Sequence, residues 1–170
     1  MITTHKPINI PEMEASDIAT MFQYIGPNHP RMLEWGSGGS THLFSPFCER
    51  FVSIEHYEEW YNFTLTKNLP EHVEYMLVPN NKPRSQDDTP KEDFLDYVNA
   101  IDLFSGEKFD VILVDGRARK YCAEKAVDFL AEDGVIIIHD WGRPRYKKYV
   151  SKFLEVIHES DTIGILKPKA

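Results

Sequence analysis

The stretch Met32-Leu33-Glu34-Trp35-Gly36-Ser37-Gly38-Gly39-Ser40-Thr41 organises the interpretation of this chain. A short apolar run contains an acid, and a turn with three glycines follows before side chains that can begin a helix. Glycine adopts positive φ and lets a ligand approach the backbone closely. The N–H groups that open the next helix suit an electron-rich ligand group. The stretch predicts a strand, a glycine turn and a helix, and the turn either binds a ligand or is only a tight connection.

A second buried strand is predicted at Phe51–Glu55, and it also ends in a carboxylate. Glu55 lies 19 positions after Gly36 (55 − 36), which is close to the spacing of ribose-binding acids in nucleotide-binding βαβ units. A carboxylate at this place can accept hydrogen bonds from both ribose hydroxyls. The alternative is a solvated acid at the end of a strand.

These features together resemble the class I S-adenosylmethionine (SAM)-dependent methyltransferases. The resemblance covers about residues 30–140 and includes Asp115-Gly116 after a later strand. The dehydrogenase fingerprint has a third glycine where Thr41 stands. The resemblance implies SAM as the cofactor, with the cofactor-binding residues Glu34, Gly36, Ser37, Gly38, Gly39, Ser40, Thr41, Glu55, His56 and Asp115.

Length and composition limit the class of protein. The 170 residues, of which 42% are hydrophobic, predict one domain over 1–170, with an N-terminal extension and helix over 1–29. The net charge of −8 argues against a general nucleic-acid or membrane-surface binder. Cys48 and Cys122 form no metal or disulfide pattern, and neither a long apolar run nor a leader is evident. We therefore expect a cytoplasmic protein. Formation of a homodimer is compatible with the sequence.

Hydrophobic periodicity predicts alternating strands and helices along the chain. This order predicts an α/β fold with a doubly wound, mostly parallel sheet and helices on both faces, in three α/β/α layers. The polar loop at 79–88 is either a lid or a plain solvated loop. Helices are predicted at about 13–25, 40–48, 56–68, 89–104, 121–129 and 144–154, Asp133-Gly134 as a turn, and strands at about 32–35, 51–55, 73–78, 109–116, 135–140, 155–159 and 162–167.

Polar residues collect where the predicted strands end, which is where ligands bind in such sheets. Four of the seven arginines follow the fourth and fifth strands, so an acceptor with anionic or hydroxyl groups is expected there, unless these arginines pair with nearby carboxylates. Tyr57 or Trp60 either stacks on adenine or only packs. The expected acceptor-binding residues are Arg117, Arg119, Trp141, Arg143, Arg145 and Tyr146.

The resemblance implies methyl transfer, and the residues favour oxygen as the acceptor atom. The Asn/Asp-Pro-Pro-aromatic motif of many N-methyltransferases is absent, since Asp115-Gly116-Arg117-Ala118 stands in its place. An alcohol needs a base or a metal, and His139, Asp140 and Asp115 are the candidate catalytic groups. A divalent metal shared by Asp115 and Asp140 is possible but not favoured.

We therefore expect a SAM-dependent O-methyltransferase that acts on a sugar, a glycan or a similar polar or anionic acceptor, without nucleic-acid or membrane partners. The alternatives are a methyltransferase of another small molecule or of protein, and a non-catalytic module that binds SAM or NAD.

Overall fold

A computed structural model describes residues 11–26, 28–82 and 90–169. Within these residues, seven strands form one sheet in the order β3-β2-β1-β4-β5-β7-β6. The first five strands pair in parallel, whereas β7 is antiparallel to both of its neighbours. The strands are β1 (Arg31–Trp35), β2 (Arg50–Glu55), β3 (Val73–Leu77), β4 (Phe109–Val114), β5 (Leu130–His139), β6 (Leu154–Glu159) and β7 (Ile163–Pro168).

Six α-helices connect these strands within the described part of the chain, with 3₁₀ turns at 45–47, 91–94, 100–104 and 127–129. None of the helices there is long and apolar enough to cross a membrane. The helices are α1 (Ala15–Ile25), α2 (Gly39–Phe44), α3 (Glu58–Leu65), α4 (Leu95–Asn99), α5 (Arg119–Ala126) and α6 (Pro144–Val150).

Both faces of the central strands are buried, as expected of parallel strands covered by helices. Leu33 and Ile112 face a core that includes residues of α4, α5 and α6. Met32 and Leu113 face the opposite core, which includes residues of α1 and α2. The doubly wound α/β fold predicted from the sequence is therefore confirmed.

Two local predictions differ from the structure. Asp133-Gly134 lies inside β5 and is not a turn, because β5 begins at Leu130 and shifts register against β4. A Cβ on Gly134 would lie 3.0 Å from the backbone oxygen of Asp110, so the strands approach closely there. The helix predicted from residue 89 is a short α4 between two 3₁₀ segments. Residues 1–10 and 83–89, including the predicted start of the helix at residue 89 and most of the possible lid, lie outside the described residues.

The topology fixes where a ligand site is expected. The chain builds β1, β2 and β3 towards one edge and then crosses to β4 on the other side of β1. The loops that leave β1 and β4 therefore diverge, and this opens a crevice at the carboxyl ends of these strands.

Candidate functional site

A cavity of about 600 Å³ lies at this crevice, within the range of small-molecule sites. It is bounded by residues that follow β1, β2, β3 and β4, together with residues of α3 and of the loop before α6. Its walls are formed by Gly36, Ser37, Glu55, His56, Tyr57, Trp60, Asn80, Asp115, Gly116, Arg117, Arg119 and Arg143.

The glycine turn after β1 is held against the loop after β4. Gly36 has a φ of +92°, and a Cβ there would lie 2.5 Å from the backbone nitrogen of Gly116. The N–H groups of Asp115 and Gly116 both donate to the carbonyl of Trp35, at 2.9 and 2.7 Å. A side chain on Gly36 would push these backbones apart, so the cavity floor requires glycine here.

Glu34 supports this turn from below. Its side chain is fully buried and accepts hydrogen bonds from the hydroxyls of Ser40, Thr41 and Ser53. The hydroxyl of Thr41 also accepts the N–H of Gly38 at 2.9 Å. Burial raises the pKa of Glu34 to about 7, although the three hydroxyl bonds oppose this rise.

Several residues that were assigned to cofactor binding from the sequence support the glycine turn and do not line the cavity. Glu34, Ser40 and Thr41 are buried and do not line the cavity, and Gly39 begins α2 without lining it. These residues shape the turn, whereas Gly36 and Ser37 form part of the cavity wall.

Glu55 faces the cavity from the end of β2. One carboxylate oxygen accepts the N–H groups of His56 and Tyr57, and the other accepts the N–H and the hydroxyl of Ser37, all at 2.8–2.9 Å. Burial raises the pKa of Glu55, but His56 and the backbone N–H groups outweigh it, so the pKa lies below its ordinary value. Glu55 is therefore an anion that ties β2 to the glycine turn.

Aromatic residues of α3 and a residue after β3 complete this side of the cavity. The indole N–H of Trp60 donates to the carbonyl of Ser37 at 2.7 Å, and a Cβ on Gly38 would lie 3.2 Å from its ring. Asn80, which was not predicted from the sequence, lines the cavity after β3. Its position in the sequence could have indicated this, because Asn80 closely follows the third parallel strand and Glu55 ends the second.

Asp115 and His139 form a pair at the ends of β4 and β5. Nδ1 of His139 lies 2.8 Å from Oδ1 of Asp115, and the ring is 13% exposed. Burial lowers the pKa of His139, but the hydrogen bond and charge of Asp115 outweigh this effect and raise it above 6.5. Because a carboxylate only accepts, Nδ1 carries the proton and Nε2 is the basic nitrogen of the neutral ring. Asp115 lines the cavity, whereas His139 does not line it and contacts the cavity wall through Asp115.

The guanidinium of Arg119 is fully engaged. Its nitrogens donate to the carbonyls of Gly116, His139 and Asp115 and to the carboxylate of Asp140, at 2.6–2.9 Å. A fifth contact joins it to Oδ1 of Asp115 at 3.4 Å. The guanidinium is thus committed to acceptors within the protein, and Arg119 is a brace between the ends of β4 and β5 rather than a group free to bind an anion.

Asp140 is also committed to protein partners. Oδ2 contacts Arg119 at 2.6 Å and Arg143 at 2.7 Å, and the residue has a φ of +58°. Burial raises the pKa of Asp140, but Arg119, His139 and Arg143 lower it below its ordinary value. A carboxylate with a lowered pKa is a weak base, so the geometry does not support Asp140 as the catalytic base.

A metal shared by Asp115 and Asp140 does not fit these residues. The guanidinium of Arg119 contacts Oδ1 of Asp115 and Oδ2 of Asp140, and so fills the space that a bridging cation would need. Within the described ranges, no group of three or more His, Cys, Asp or Glu side chains is placed to hold a metal.

Two expected acceptor-binding residues lie in the core instead. Trp141 and Tyr146 are each 1% exposed. The Trp141 N–H donates to Glu159 at 2.7 Å, and its ring packs on Gly164 of β7. The assignment of Trp141 and Tyr146 to acceptor binding is therefore corrected, because neither can reach an acceptor without leaving the core.

The remaining arginines are placed differently from one another. Arg117 is exposed and lines the cavity, as does the half-exposed Arg143. Arg145 is exposed on α6, where its guanidinium lies 5.0 Å from the ring centre of Tyr146, and it does not line the cavity.

No family model and no curated protein matches the chain. Solved structures do match. A methyltransferase-like protein from Silicibacter pomeroyi has a TM-score of 0.70 at 21% identity, over 95% of this chain and 92% of that chain. The precorrin 8w decarboxylase of Methanobacterium thermoautotrophicum has a TM-score of 0.63 at 13% identity, over 98% and 96% of the two chains.

A third match is the N-methyltransferase NodS from Bradyrhizobium japonicum, solved with S-adenosyl-L-homocysteine. Its TM-score is 0.56 at 14% identity, over 91% of this chain and 87% of NodS. Identities this low show the fold alone, and the matched proteins include both methyltransferases and a decarboxylase. The chain therefore has the fold of the class I methyltransferases.

Proposed function

We propose that this protein is a SAM-dependent methyltransferase that methylates a hydroxyl of a sugar, a glycan or a similar polar acceptor. The observation that carries the proposal is the position of Glu55, which is bonded to the glycine turn and lines the same cavity at the carboxyl ends of parallel strands. NodS, which has the same fold, was solved with S-adenosyl-L-homocysteine.

The residues around the cavity fit SAM. Glu55 would accept hydrogen bonds from the ribose hydroxyls, and the hydroxyl of Ser37 is a donor that can rotate away to make room. The glycine turn would contact the methionine portion. Asn80 offers an amide to the edge of the base, and the aromatic rings of Tyr57 and Trp60 border the same region. SAM would supply the methyl group as an electrophile.

His139 is the proposed general base. Asp115 holds the Nδ1–H of the ring, so that Nε2 can accept the proton of an acceptor hydroxyl. A base whose pKa lies somewhat above 6.5 is suited to take a proton near neutral pH. Arg119 keeps the ends of β4 and β5, and with them the two members of the pair, in register.

Arg117 and Arg143 are the proposed acceptor-binding residues, because both line the cavity on the side of Asp115. A guanidinium can hold a carboxylate or phosphate through two parallel hydrogen bonds, which orients the acceptor as well as binding it. In this proposal the acceptor would lie between the two arginines and the Asp115–His139 pair.

The alternative functions are methylation of another small molecule or of protein, and binding of SAM or NAD without catalysis. Titration calorimetry with SAM and with NAD separates the cofactors. We expect SAM to bind with micromolar affinity, about −8 kcal/mol, and NAD to bind far more weakly. Turnover is then measured with labelled SAM against sugars, nucleotide sugars and oligosaccharides. Methylation of an amine or a protein instead would replace the hydroxyl proposal, and tighter binding of NAD would overturn the cofactor.

A further inference from the structure

The basic residues of this acidic chain are concentrated on two helices beside the cavity. Residues 117–126 and 143–152 contain nine of the 19 Lys and Arg residues but one of the 27 Asp and Glu residues. The other 150 positions therefore hold 10 basic and 26 acidic residues. The two segments form α5, α6 and the loops before them, and the two helices pack against each other. The charge asymmetry is therefore a property of one region of the surface.

Six of these cations form a surface that we call the basic face. Arg145, Lys148 and Lys152 follow one another at intervals of three and four residues along α6 and the turn after it, so they share one side. The ammonium groups of Lys120 and Lys152 lie 5.7 and 5.4 Å from the ring centre of Tyr149, which joins α5 to this side. The basic face comprises Arg117, Lys120, Arg143, Arg145, Lys148 and Lys152.

The basic face is continuous with the cavity, since Arg117 and Arg143 belong to both. Its lysines are not neutralised. Among the described residues, Lys120, Lys148 and Lys152 have no carboxylate within ion-pair distance. The neighbouring acids include Asp140, which contacts Arg119 and Arg143, and Glu124, which accepts the hydroxyl of Tyr149. Glu159 and Asp102 pair with Lys147 and Lys125, which lie outside the basic face. A surface with this excess of positive charge fits a partner with several negative charges.

We propose that the acceptor is an anionic glycan, a saccharide chain with repeated carboxylate, sulfate or phosphate groups, that lies along the basic face with one sugar at the cavity. The proposal rests on the methyltransferase function above and names its substrate class. From Arg145 to Lys152 the helical rise spans about 10 Å, the length of roughly two sugar units. The saccharide chain would carry its negative charges past the lysines while one hydroxyl reaches His139.

A glycan fits this surface better than a nucleic acid. Proteins that bind single-stranded nucleic acid offer aromatic faces on which bases stack. Here the rings of Tyr121 and Tyr149 are covered by lysines, because Lys91 and Lys120 lie over Tyr121 and Lys120 and Lys152 lie over Tyr149. The basic face therefore offers charge and hydrogen bonds but few rings for stacking.

The test measures binding of fluorescent oligosaccharides by anisotropy. The probes are a heparin octasaccharide, an uncharged dextran of the same length, and a uridine RNA with the same number of negative charges. The variant is Lys148→Gln/Lys152→Gln, which leaves the cavity wall intact. Its matched control is Lys67→Gln/Lys108→Gln, which removes the same charge elsewhere. Lys67 is a good match, because its ammonium lies 5.4 Å from the ring of Phe63, as that of Lys152 does from Tyr149.

We expect the heparin probe to bind, the dextran not to bind, and the RNA to bind more weakly than heparin. The Lys148/Lys152 variant should weaken heparin binding about fivefold or more, and the control less than twofold. Added salt should weaken binding of the wild type more steeply than that of the variant. RNA binding tighter than heparin through the same two lysines would replace the glycan with a nucleic acid.

Equal effects of the two double variants, or no binding of heparin at low salt, would overturn the basic face as a docking surface. SAM affinity is measured on the same proteins and should not change. If either of these outcomes is found and SAM still binds, only the inference about the basic face is contradicted. Failure of SAM to bind the wild type contradicts the proposed function, whatever the oligosaccharides do.

Discussion

The Nδ1 atom of His139 lies 2.8 Å from a carboxylate oxygen of Asp115, although 24 residues separate them in the sequence. The pairing arises because β4 and β5 are parallel neighbours whose carboxyl ends coincide, so that the residue ending β5 meets the residue after β4. A carboxylate at this distance orients the ring and stabilises its protonated form.

The first prediction concerns catalysis by this pair. His139→Gln should lower turnover by about 10²–10⁴-fold with little change in SAM affinity, because the variant keeps the cofactor contacts but lacks a base. In the wild type, turnover should rise with pH through a pKa above 6.5, since only the neutral ring accepts a proton. Initial rates over the neutral pH range and calorimetry with SAM provide the measurements.

Asp115→Asn provides the comparison for that profile. Without the carboxylate, the pKa of His139 should fall, and the rising limb should move to lower pH. EDTA should leave turnover unchanged, because Arg119 fills the space between the two carboxylates. Turnover that is lost with EDTA and restored by Mg²⁺ or Mn²⁺ would contradict this assignment.

A second prediction addresses Glu55. Glu55→Ala should weaken binding of SAM and of S-adenosylhomocysteine by about 1.5–3 kcal/mol, the range for hydrogen bonds to a charged group. It should also lower the melting temperature, because Glu55 holds the backbones of Ser37, His56 and Tyr57. Ser37→Ala is the matched control, since it removes one bond to the carboxylate and keeps the anion. Its SAM affinity should stay within about fivefold of the wild type. Equal losses in both variants would show that turn geometry, and not the carboxylate, decides affinity.

The sequence predicted the fold well because the relevant signals are local. The buried run of β4, the glycine turn and the acid ending β2 are each visible within a few residues. Their order determines a doubly wound sheet. The prediction of a turn at Asp133-Gly134 was wrong because a glycine is also used where two strands approach closely. Such a close approach depends on the neighbouring strand and is not visible in the local sequence.

The site was harder to predict because burial and pairing depend on distant parts of the chain. Trp141, Arg119 and Arg117 occupy similar positions in the sequence, since each follows the end of a strand. The structure buries the first two and exposes the third, because Trp141 packs on β7 and Arg119 binds backbone carbonyls of two loops. No local pattern distinguishes such residues.

A third prediction uses the tight contact below the cavity floor. The hydroxyl of Tyr97 is fully buried and has no hydrogen-bond partner among the residues that the structure describes, and a Cβ on Gly116 would lie 2.1 Å from it. Gly116→Ala should therefore be strongly destabilising. Tyr97→Phe should be neutral or stabilising by about 1 kcal/mol, because it removes an unsatisfied hydroxyl. The double variant should recover much of the stability lost by Gly116→Ala in urea unfolding. Simple additivity of the two changes would contradict this contact.

The fourth prediction concerns the buried acid Glu34. Its pKa of about 7 in the folded protein exceeds that of an ordinary glutamic acid, so the folded state binds more protons than the unfolded state between pH 4.5 and 7. The contribution of Glu34 to stability should therefore fall as pH rises through this window, by about 3 kcal/mol in total, and stay constant above it.

The measurement compares the unfolding free energy of the wild type with that of Glu34→Gln across this window. All other groups titrate alike in the two proteins, so their difference isolates Glu34. The wild type should lose stability relative to the variant as pH rises from about 4.5 to about 7. Two parallel curves would mean that Glu34 keeps the same charge in both states.

The last prediction separates the arginines after β4 and β5 by role. Arg117→Lys and Arg143→Lys should each raise the acceptor KM several-fold and leave SAM affinity unchanged, because lysine cannot form the two parallel bonds of a guanidinium. Arg119→Lys should instead lower stability by about 2–4 kcal/mol, since a buried group that donates to three carbonyls and a carboxylate loses most of its partners. Arg145→Lys, away from the cavity, should have little effect on either. Steady-state kinetics with the identified acceptor and thermal unfolding of the four variants test this division. A change in acceptor KM for Arg119→Lys with full stability would show that the buried guanidinium contacts the acceptor. A wild-type KM for both Arg117→Lys and Arg143→Lys would place acceptor recognition elsewhere on the protein.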